Sequence, residues 1–267
     1  TNTATGRISS QDPNLQNIPI RTEAGRKIRK AFVSEDGYTL LDSDYSQIEL
    51  RILAYIANDE KMLHAFEEGL DIHRKTASEV FGIPFDEVDS EHRSRAKAVN
   101  FGIVYGISDY SLSQDLKISR KEAKEYIDNY FEKFSGVHKY MNDVVEKAKE
   151  DGYVKTLFNR RRNIPELQNS NYNIRAFGER VALNMPIQGT SADIIKIAIV
   201  KIFNKFREED IDAHIIVTVH DEIVVEVKKE EADRVKDIIK DLMENIDGLD
   251  MDLKVDINQA DNWYDAK

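Results

Sequence analysis

Apolar positions recur in two rhythms along the chain, and each predicts a different element. Tyr38-Thr39-Leu40-Leu41-Asp42-Ser43-Asp44, introduced by Gly37, has the length and composition of a short strand. Ile48, Ile52, Leu53 and Ile56 come next at helical spacing, so the strand runs directly into a helix. Ahead of it, residues 1–35 read as mostly irregular, because Pro13 and Pro19 interrupt any long helix. From about residue 58 to 185 the pattern is nearly all helical. Asp71 suits the N-cap of a helix that Gly82 ends, and Ser90 can cap a second that runs to Gly106. Ser119 and Glu122 form a capping box for a third, and Gly136 and Gly152 punctuate the helical stretch after it. A long helix is predicted from about residue 191 to 207. Residues 214–219 and 223–227 then flank His220-Asp221-Glu222 as a β-hairpin, before a helix near 230–245 and a last strand near 253–257. There is no internal repeat or low-complexity segment. Strands at both ends with a helical insertion between them predict an α+β fold.

Composition narrows the class. The chain has 267 residues, 41% of them apolar and 33% charged, enough for one large domain or two smaller ones around a real core. The longest stretch without charge is residues 181–192, whereas a membrane-spanning helix needs about 20 mostly apolar residues. No signal peptide opens the chain. The absence of cysteine excludes disulfides, thiolate zinc sites and a thiol nucleophile, and fits an intracellular setting. The net charge of −11 argues at first against a nucleic-acid partner. Its distribution is uneven, however. Residues 1–34 carry six basic and two acidic groups, and residues 205–267 carry nine and nineteen. A local basic surface still holds phosphates on an acidic protein.

Three groups of residues could carry chemistry. Asp44 ends an apolar strand, where its carboxylate could hold Mg²⁺ together with substrate phosphates or could simply cap the following helix. Asp221 stands at a glycine-free hairpin tip between His220 and Glu222, readable as a site or as an acidic loop. Were the two strands neighbours, Asp44 and Asp221 would converge as paired carboxylates for two-metal phosphoryl transfer. In the helix from Ser90, at about 100° per residue, Arg93, Lys97, Phe101 and Tyr105 share one stripe, with Ala96, Val99 and Ile103 opposite. Two cations one turn apart suit a polyphosphate, and an aromatic further along suits stacking on a base. A plain amphipathic helix leaves Phe101 and Tyr105 on the polar side unexplained.

Taken together, Asp44-Tyr45-Ser46-Gln47-Ile48-Glu49-Leu50-Arg51, Arg93-x-x-x-Lys97-x-x-x-Phe101-Gly102-x-x-Tyr105-Gly106 and His220-Asp221-Glu222 resemble the three polymerase motifs of the family A DNA polymerases, the bacterial DNA polymerase I group. Thr5-Gly6-Arg7-Ile8-Ser9-Ser10, Asp12-Pro13-Asn14-Leu15-Gln16-Asn17-Ile18-Pro19 and Asn184-Met185-Pro186-Ile187-Gln188-Gly189-Thr190 are similar as well, so the resemblance covers essentially the whole chain. It implies template-directed addition of deoxynucleotides to a primer 3′ end with release of pyrophosphate. Asp44 and Asp221 would ligate two Mg²⁺ ions, with the Tyr45 carbonyl assisting and Glu222 close by in a catalytic role. Arg93 and Lys97 would grip the incoming triphosphate, His73 and Gln47 would join them, and Lys97 would protonate the departing pyrophosphate. Phe101 would lie against sugar and base, Tyr105 would occupy the template-base position, and Glu49 would reject a 2′-hydroxyl. Arg7 and Gln188 would read the degenerate acceptors of the minor groove. Asn14, Asn17, Arg21, His220 and Arg180 would contact primer–template DNA.

The implied architecture is an antiparallel-sheet palm, residues 1–57 and 186–267, with helical fingers at 58–185. The family's thumb, the first part of its palm and its nuclease domains are expected ahead of this segment. The implied partners are primer–template DNA and deoxynucleoside triphosphates, with no membrane and no obligate protein partner evident, in the bacterial cytoplasm at the nucleoid. Asp42 departs from the pattern, standing where a small or apolar residue is expected. Period two places it on Asp44's face, either as added negative charge or as an exposed strand residue. Two other readings are a single-subunit RNA polymerase-like enzyme, against which Glu49 speaks, and a thumb-less fragment that binds primer–template or nucleotide but turns over poorly.

Overall fold

The computed structural model describes residues 3–19 and 22–267. In chain order, a short helix α1 (Glu23–Lys27) precedes strand β1 (Tyr38–Tyr45), which turns into α2 (Ile48–Ala57). Helices α3 (Glu60–Glu67), α4 (Ile72–Phe81), α5 (Ser90–Val104), α6 (Asp109–Leu116), α7 (Arg120–Lys133) and α8 (Ser135–Asp151) come after it. A ribbon of β2 (Tyr153–Lys155) and β3 (Arg161–Asn163) is next, then α9 (Tyr172–Glu208), β4 (Ala213–Val219), β5 (Glu222–Lys228), α10 (Ala232–Glu244) and β6 (Val255–Ala260). Helices mix with antiparallel sheets, as an α+β fold requires. Two compact units emerge, one of Thr1–Ile48 with Ser191–Lys267 and one of Glu49–Thr190. Among the described residues no helix is long and apolar enough to cross a membrane.

In the first unit the sheet is antiparallel in the order β4-β5-β1-β6. Period two sorts β1 onto two faces. Leu41, Ser43 and Tyr45 share the α10 side, where Val235, Ile239 and Met243 form the buried stripe of that helix and the Tyr45 hydroxyl donates to the Met243 carbonyl at 2.8 Å. Leu40, Asp42 and Asp44 share the other face, where Leu40 clusters with Val219, Val224 and Trp263. That face is the one that matters for chemistry, because the strand's apolar residues run out there at Asp42 and Asp44.

The second unit is mostly helical, as its apolar periodicity predicts. Asp71 caps α4 by accepting from the His73 and Arg74 amides, and Gly82 ends it at φ 68°. Ser119 caps α7 by accepting from the Glu122 amide. Four expectations need correction. The cap of α5 is Asp89, which accepts from the His92 amide, while Ser90 is already helical; a carboxylate there accepts the orphan amide and suits the positive end of the helix dipole. Gly136 does not punctuate but lies inside α8, where a Cβ would meet Asp59 Cα at 2.9 Å. Its job is close approach. The stretch before residue 185, expected to be nearly all helical, also contains a ribbon of β2 and β3 that the periodicity does not show. Finally, the long helix starts at Tyr172 rather than near 191, carrying Pro186 inside it. An interior proline costs about 3 kcal/mol, and here Val181, Ala182 and Met185 are buried on the same helix with Val154, Ile164 and Leu167, enough apolar burial to offset it.

Asp59 joins two of these helices. Its Oδ1 accepts from the Met62 amide at the start of α3, and its Oδ2 from the Gly136 and Val137 amides, at 3.0 and 3.3 Å, at the start of α8. One carboxylate therefore caps two helix N-termini. Asp59→Ala should lower stability by about 2 kcal/mol, roughly one cap's worth at each end; chemical denaturation measures it. A loss under about 0.5 kcal/mol, the size of an ordinary surface change, would show that the two helices do not depend on this group.

Candidate functional site

Pairing of β1 with β5 sets Asp44 opposite Glu222, and pairing with β6 sets Asp44 opposite Asp256, so three carboxylates stand in one row across the sheet. Strands β4 and β5 are joined by His220 and Asp221 alone, since Val219 pairs with Glu222. Glu222 is thus not part of the hairpin tip but the first residue of β5, and it is buried. The amide of Tyr45 donates to the Asp221 carbonyl at 3.3 Å, which ties that turn to the end of β1. The neighbouring strands on which the convergence of Asp44 and Asp221 depends are therefore present. The turn is strained, because His220 has φ 57° and carries no glycine's freedom, and Gln47, just past Asp44, has φ 57° as well. Left-handed non-glycine residues of this kind cost roughly 1–3 kcal/mol and cluster where the chain holds side chains for a task.

Glu222 is held from three directions. Its Oε1 accepts from Trp263 Nε1 at 2.5 Å and from Arg29 Nη1 at 3.3 Å, and its Oε2 accepts from Lys267 Nζ. Arg29 in turn lies 4.0 Å from the centre of the Trp263 ring. The Lys267 ammonium also reaches Asp44 Oδ2 at 3.3 Å. Asp42 is buried, not an exposed strand residue, and neither of its carboxylate oxygens has a hydrogen-bond partner. Burial, then the charge of Glu222, push its carboxyl up to about 7. Burial also raises Asp44, against the pull of Lys267. Burial opposes the Lys267 ammonium, but Glu222, Asp44 and Asp42 outweigh it and raise its pKa. Among the described residues no three such side chains form a preformed metal cage. The donors fit a hard divalent ion nonetheless: all are carboxylate or carbonyl oxygens, and Asp42 is an orphaned acceptor beside them.

In the second unit the predicted stripe is present. Ala96, Val99 and Ile103 are buried, and Arg93 and Lys97 are exposed, with Phe101 half-buried and Tyr105 at the helix cap. The Phe101 and Tyr105 rings stack at 6.5 Å, and Lys97 Nζ lies 5.9 Å from the Phe101 ring. Arg93 Nε is held by Asp71 Oδ2 at 2.6 Å. Burial works to raise Asp71, but the Arg74 amide and the Arg93 guanidinium prevail and hold its carboxyl below the usual range. The Tyr105 hydroxyl donates to Glu49 Oε2 at 3.1 Å, and Glu49 is buried. His73 is buried beside Phe101, at 5.9 Å between rings. Thr76 donates to Asn100 Oδ1, which orients the amide so that Asn100 Nδ2 donates to His73 Nδ1 at 3.0 Å. His73 then carries its proton on Nε2, a buried donor with no partner. Burial pushes its pKa down to about 4, so it is neutral at pH 7. It is a hydrogen-bond donor rather than a third cation.

The remaining expected residues divide between the units. In the first, Arg7 and His220 line one small cleft with Gln16 and Thr218, and Asn14 and Asn17 are exposed on the loop before α1. Arg21 lies outside the described residues. In the second, Arg180 and Gln188 fall eight residues apart on α9, on one stripe with Asn184, whose Oδ1 is buried and unpartnered. Sequence reasoning missed Arg29, Trp263, Lys267 and Asp256. Nothing local marks them, since they meet the acidic face through pairings that span from 41 residues, for Trp263 with Glu222, to 223, for Lys267 with Asp44.

A sequence profile of DNA polymerase family A matches residues 1–265. The chain is 55% identical over 266 residues to the DNA polymerase I of Bacillus subtilis, covering 99% of this chain and 30% of that protein. It is 52% identical over 267 residues to the DNA polymerase I of Caldicellulosiruptor bescii, covering 100% of this chain and 31% of that one. It thus spans about a third of the length of these relatives. A solved structure of the POL domain of Pol1 from M. smegmatis, in complex with DNA primer-template and dNTP, superposes with a TM-score of 0.96 at 46% identity, over 99% of this chain and 47% of that one.

The neutral, buried His73 gives a pH signature. The folded state resists its protonation below the unfolded value near 6.5. Its share of stability is therefore whole above that value and is lost as pH falls toward about 4, up to about 3 kcal/mol. His73→Gln should flatten this acid limb in urea denaturation series run from pH 7 to 4. An unchanged slope would mean that another group titrates there.

Proposed function

The chain belongs to DNA polymerase family A, and on that premise we propose that it adds deoxynucleotides to a primer 3′ end under the direction of a template, by two-metal phosphoryl transfer. The primer 3′-oxygen forms a bond to the α-phosphorus of the incoming triphosphate, the bond between that phosphorus and the bridging oxygen breaks, and pyrophosphate leaves. The observation that carries the reading is the end of β1 against β5, which sets Asp44 opposite Glu222 and beside the turn that holds Asp221, in the segment matched by the family profile.

Asp44 and Asp221 would hold two Mg²⁺ ions with the Tyr45 carbonyl. When bound, the ions supply activation of the attacking oxygen and charge stabilisation of the leaving group. Glu222 holds the Lys267 ammonium beside Asp44 in the metal-free face, and its burial against Arg29 and Trp263 keeps this end of the sheet ordered. Arg93 and Lys97 bind the triphosphate, with Arg93 pre-oriented by Asp71, and Lys97 donates the proton that pyrophosphate takes up. His73, from its unpartnered Nε2, donates one neutral hydrogen bond to the same phosphates. Phe101 and Gln47 meet the nucleotide, Glu49 closes the space a 2′-hydroxyl needs, and Tyr105, already bonded to Glu49, stands in for the template base. Arg7, Asn14, Asn17, Arg21, Arg180, Gln188 and His220 contact primer–template DNA, the partner named for the related POL domain. The palm comprises residues 1–57 and 186–267 and the fingers 58–185, close to the division at 48/49 and 190/191. A protein working on chromosomal primers acts in the bacterial cytoplasm, at the nucleoid.

Primer extension with and without Mg²⁺, at low salt and high protein, tests the reading. Asp44→Asn and Asp221→Asn should each abolish incorporation while circular dichroism stays unchanged; substantial activity in either variant would remove the metal assignment.

Sugar selection is a separate check. Glu49→Ala should admit ribonucleotides, and Phe101→Tyr should ease dideoxynucleotide incorporation by supplying a phenolic oxygen near the 3′ position. Unaltered ratios against the natural deoxynucleotide in both variants would show that these side chains do not touch the sugar.

A further inference from the structure

Lys267 stands where the acidic face most needs positive charge. Its ammonium hydrogen-bonds Glu222 Oε2 and lies 3.3 Å from Asp44 Oδ2. Asp42, two residues earlier on the same face, is 2% exposed, and both its oxygens lack a hydrogen-bond partner. A carboxylate buried without donors is costly, so this face is short of cationic or donor groups even with Arg29 and Lys267 in place. The segment that delivers Lys267 is pinned by the buried Trp263 and Ala266, so the fold holds its backbone within reach of the carboxylates. Lysine is a compact point charge on a flexible stem, and this side chain is 38% exposed. It is able to withdraw into solvent without disturbing the groups that anchor it.

We propose that Lys267 is a resident competitor for the divalent cation at Asp44, an internal ammonium that the ion displaces, and that Asp42 is the carboxylate whose charge the ion draws on once Lys267 has withdrawn. This rests on the reading of Asp44 as a metal ligand. The ammonium and a divalent ion draw on the same Asp44 carboxylate, so each lowers the occupancy of the other, and the free-cation concentration at which the face fills is set by Lys267. Glu222 and Arg29 stay in place throughout, because Arg29 and Trp263 hold the other oxygen of Glu222.

The test is Mn²⁺ binding to the 267-residue chain without DNA or nucleotide, monitored by loss of the free-ion electron paramagnetic resonance signal. Wild type is compared with Lys267→Met, Lys267→Arg, Asp42→Asn and Asp44→Asn, each checked for fold by circular dichroism. Lys267→Met should bind Mn²⁺ roughly threefold or more tightly, about what a half-exposed ion pair is worth. Lys267→Arg, which keeps the charge, should stay within about twofold of wild type, and Asp42→Asn should bind roughly threefold or more weakly. Should Lys267→Met bind no tighter while Asp44→Asn still removes the site, the competitor role is overturned and the metal assignment stands. Should Asp44→Asn leave the isotherm unchanged, the metal reading fails and takes the Lys267 role with it. If Lys267→Met does not fold, unaltered affinity in Asp42→Asn overturns the proposal on its own.

Discussion

Glu222 is a carboxylate buried under the edge of a tryptophan, and much of the first unit is arranged around keeping it satisfied. An unpartnered carboxylate in that position would be prohibitive. The chain therefore brings Arg29 from the N-terminal stretch, Trp263 and Lys267 from the last residues, and closes them on one side chain of β5. Arg29 gains a second contact by stacking on Trp263 at 4.0 Å, and Trp263 packs edge-on against Phe32 at 5.3 Å. Removing one member of such a set strands a charge in the interior, the circumstance in which a buried ion pair is most consequential. Since the same strand pairing puts Glu222 opposite Asp44, the group that orders both ends of the chain also sets the electrostatics of the candidate metal face.

The two units handle charge in opposite ways. The sheet unit gathers Asp42, Asp44, Glu222 and Asp256 on neighbouring strands and balances them with a few cations at fixed positions. The helical unit exposes cations on a stripe and keeps His73 neutral by burying it among Asn100, Thr76 and Phe101. Phosphate binding needs charge without a competing proton equilibrium near neutral pH. On the proposed function Arg93 and Lys97 would supply it, while His73 would contribute a directional donor whose protonation the fold suppresses.

Local backbone strain marks the same places. Gln47 comes after Asp44 and His220 precedes Asp221, both at φ 57°. Glycine would relieve either turn, yet the chain keeps side chains there. A two-residue turn leaves no slack between β4 and β5, so the strained residue is also what brings Glu222 into the ladder opposite both Val219 and Asp44.

Much was determined by sequence alone because it rests on short-range physics. The strand ending at Asp44, the helix caps at Asp71 and Ser119, the hairpin around Asp221 and the stripe of Arg93, Lys97, Phe101 and Tyr105 all arise from periodicity and capping within a dozen residues. What tertiary structure decided lies beyond that range. Gly136 has the look of a helix stop, but its backbone is spoken for by Asp59, 77 residues away. Pro186 has the look of a barrier, but burial of its neighbours carries α9 through it. Asp42 reads as added negative charge or as an exposed strand residue until β5 and β6 are laid on either side of it, and Lys267 gives no local sign of meeting Asp44 across 223 residues. Periodicity states which residues share a face; only the packed sheet states which distant side chain arrives there to balance its charge.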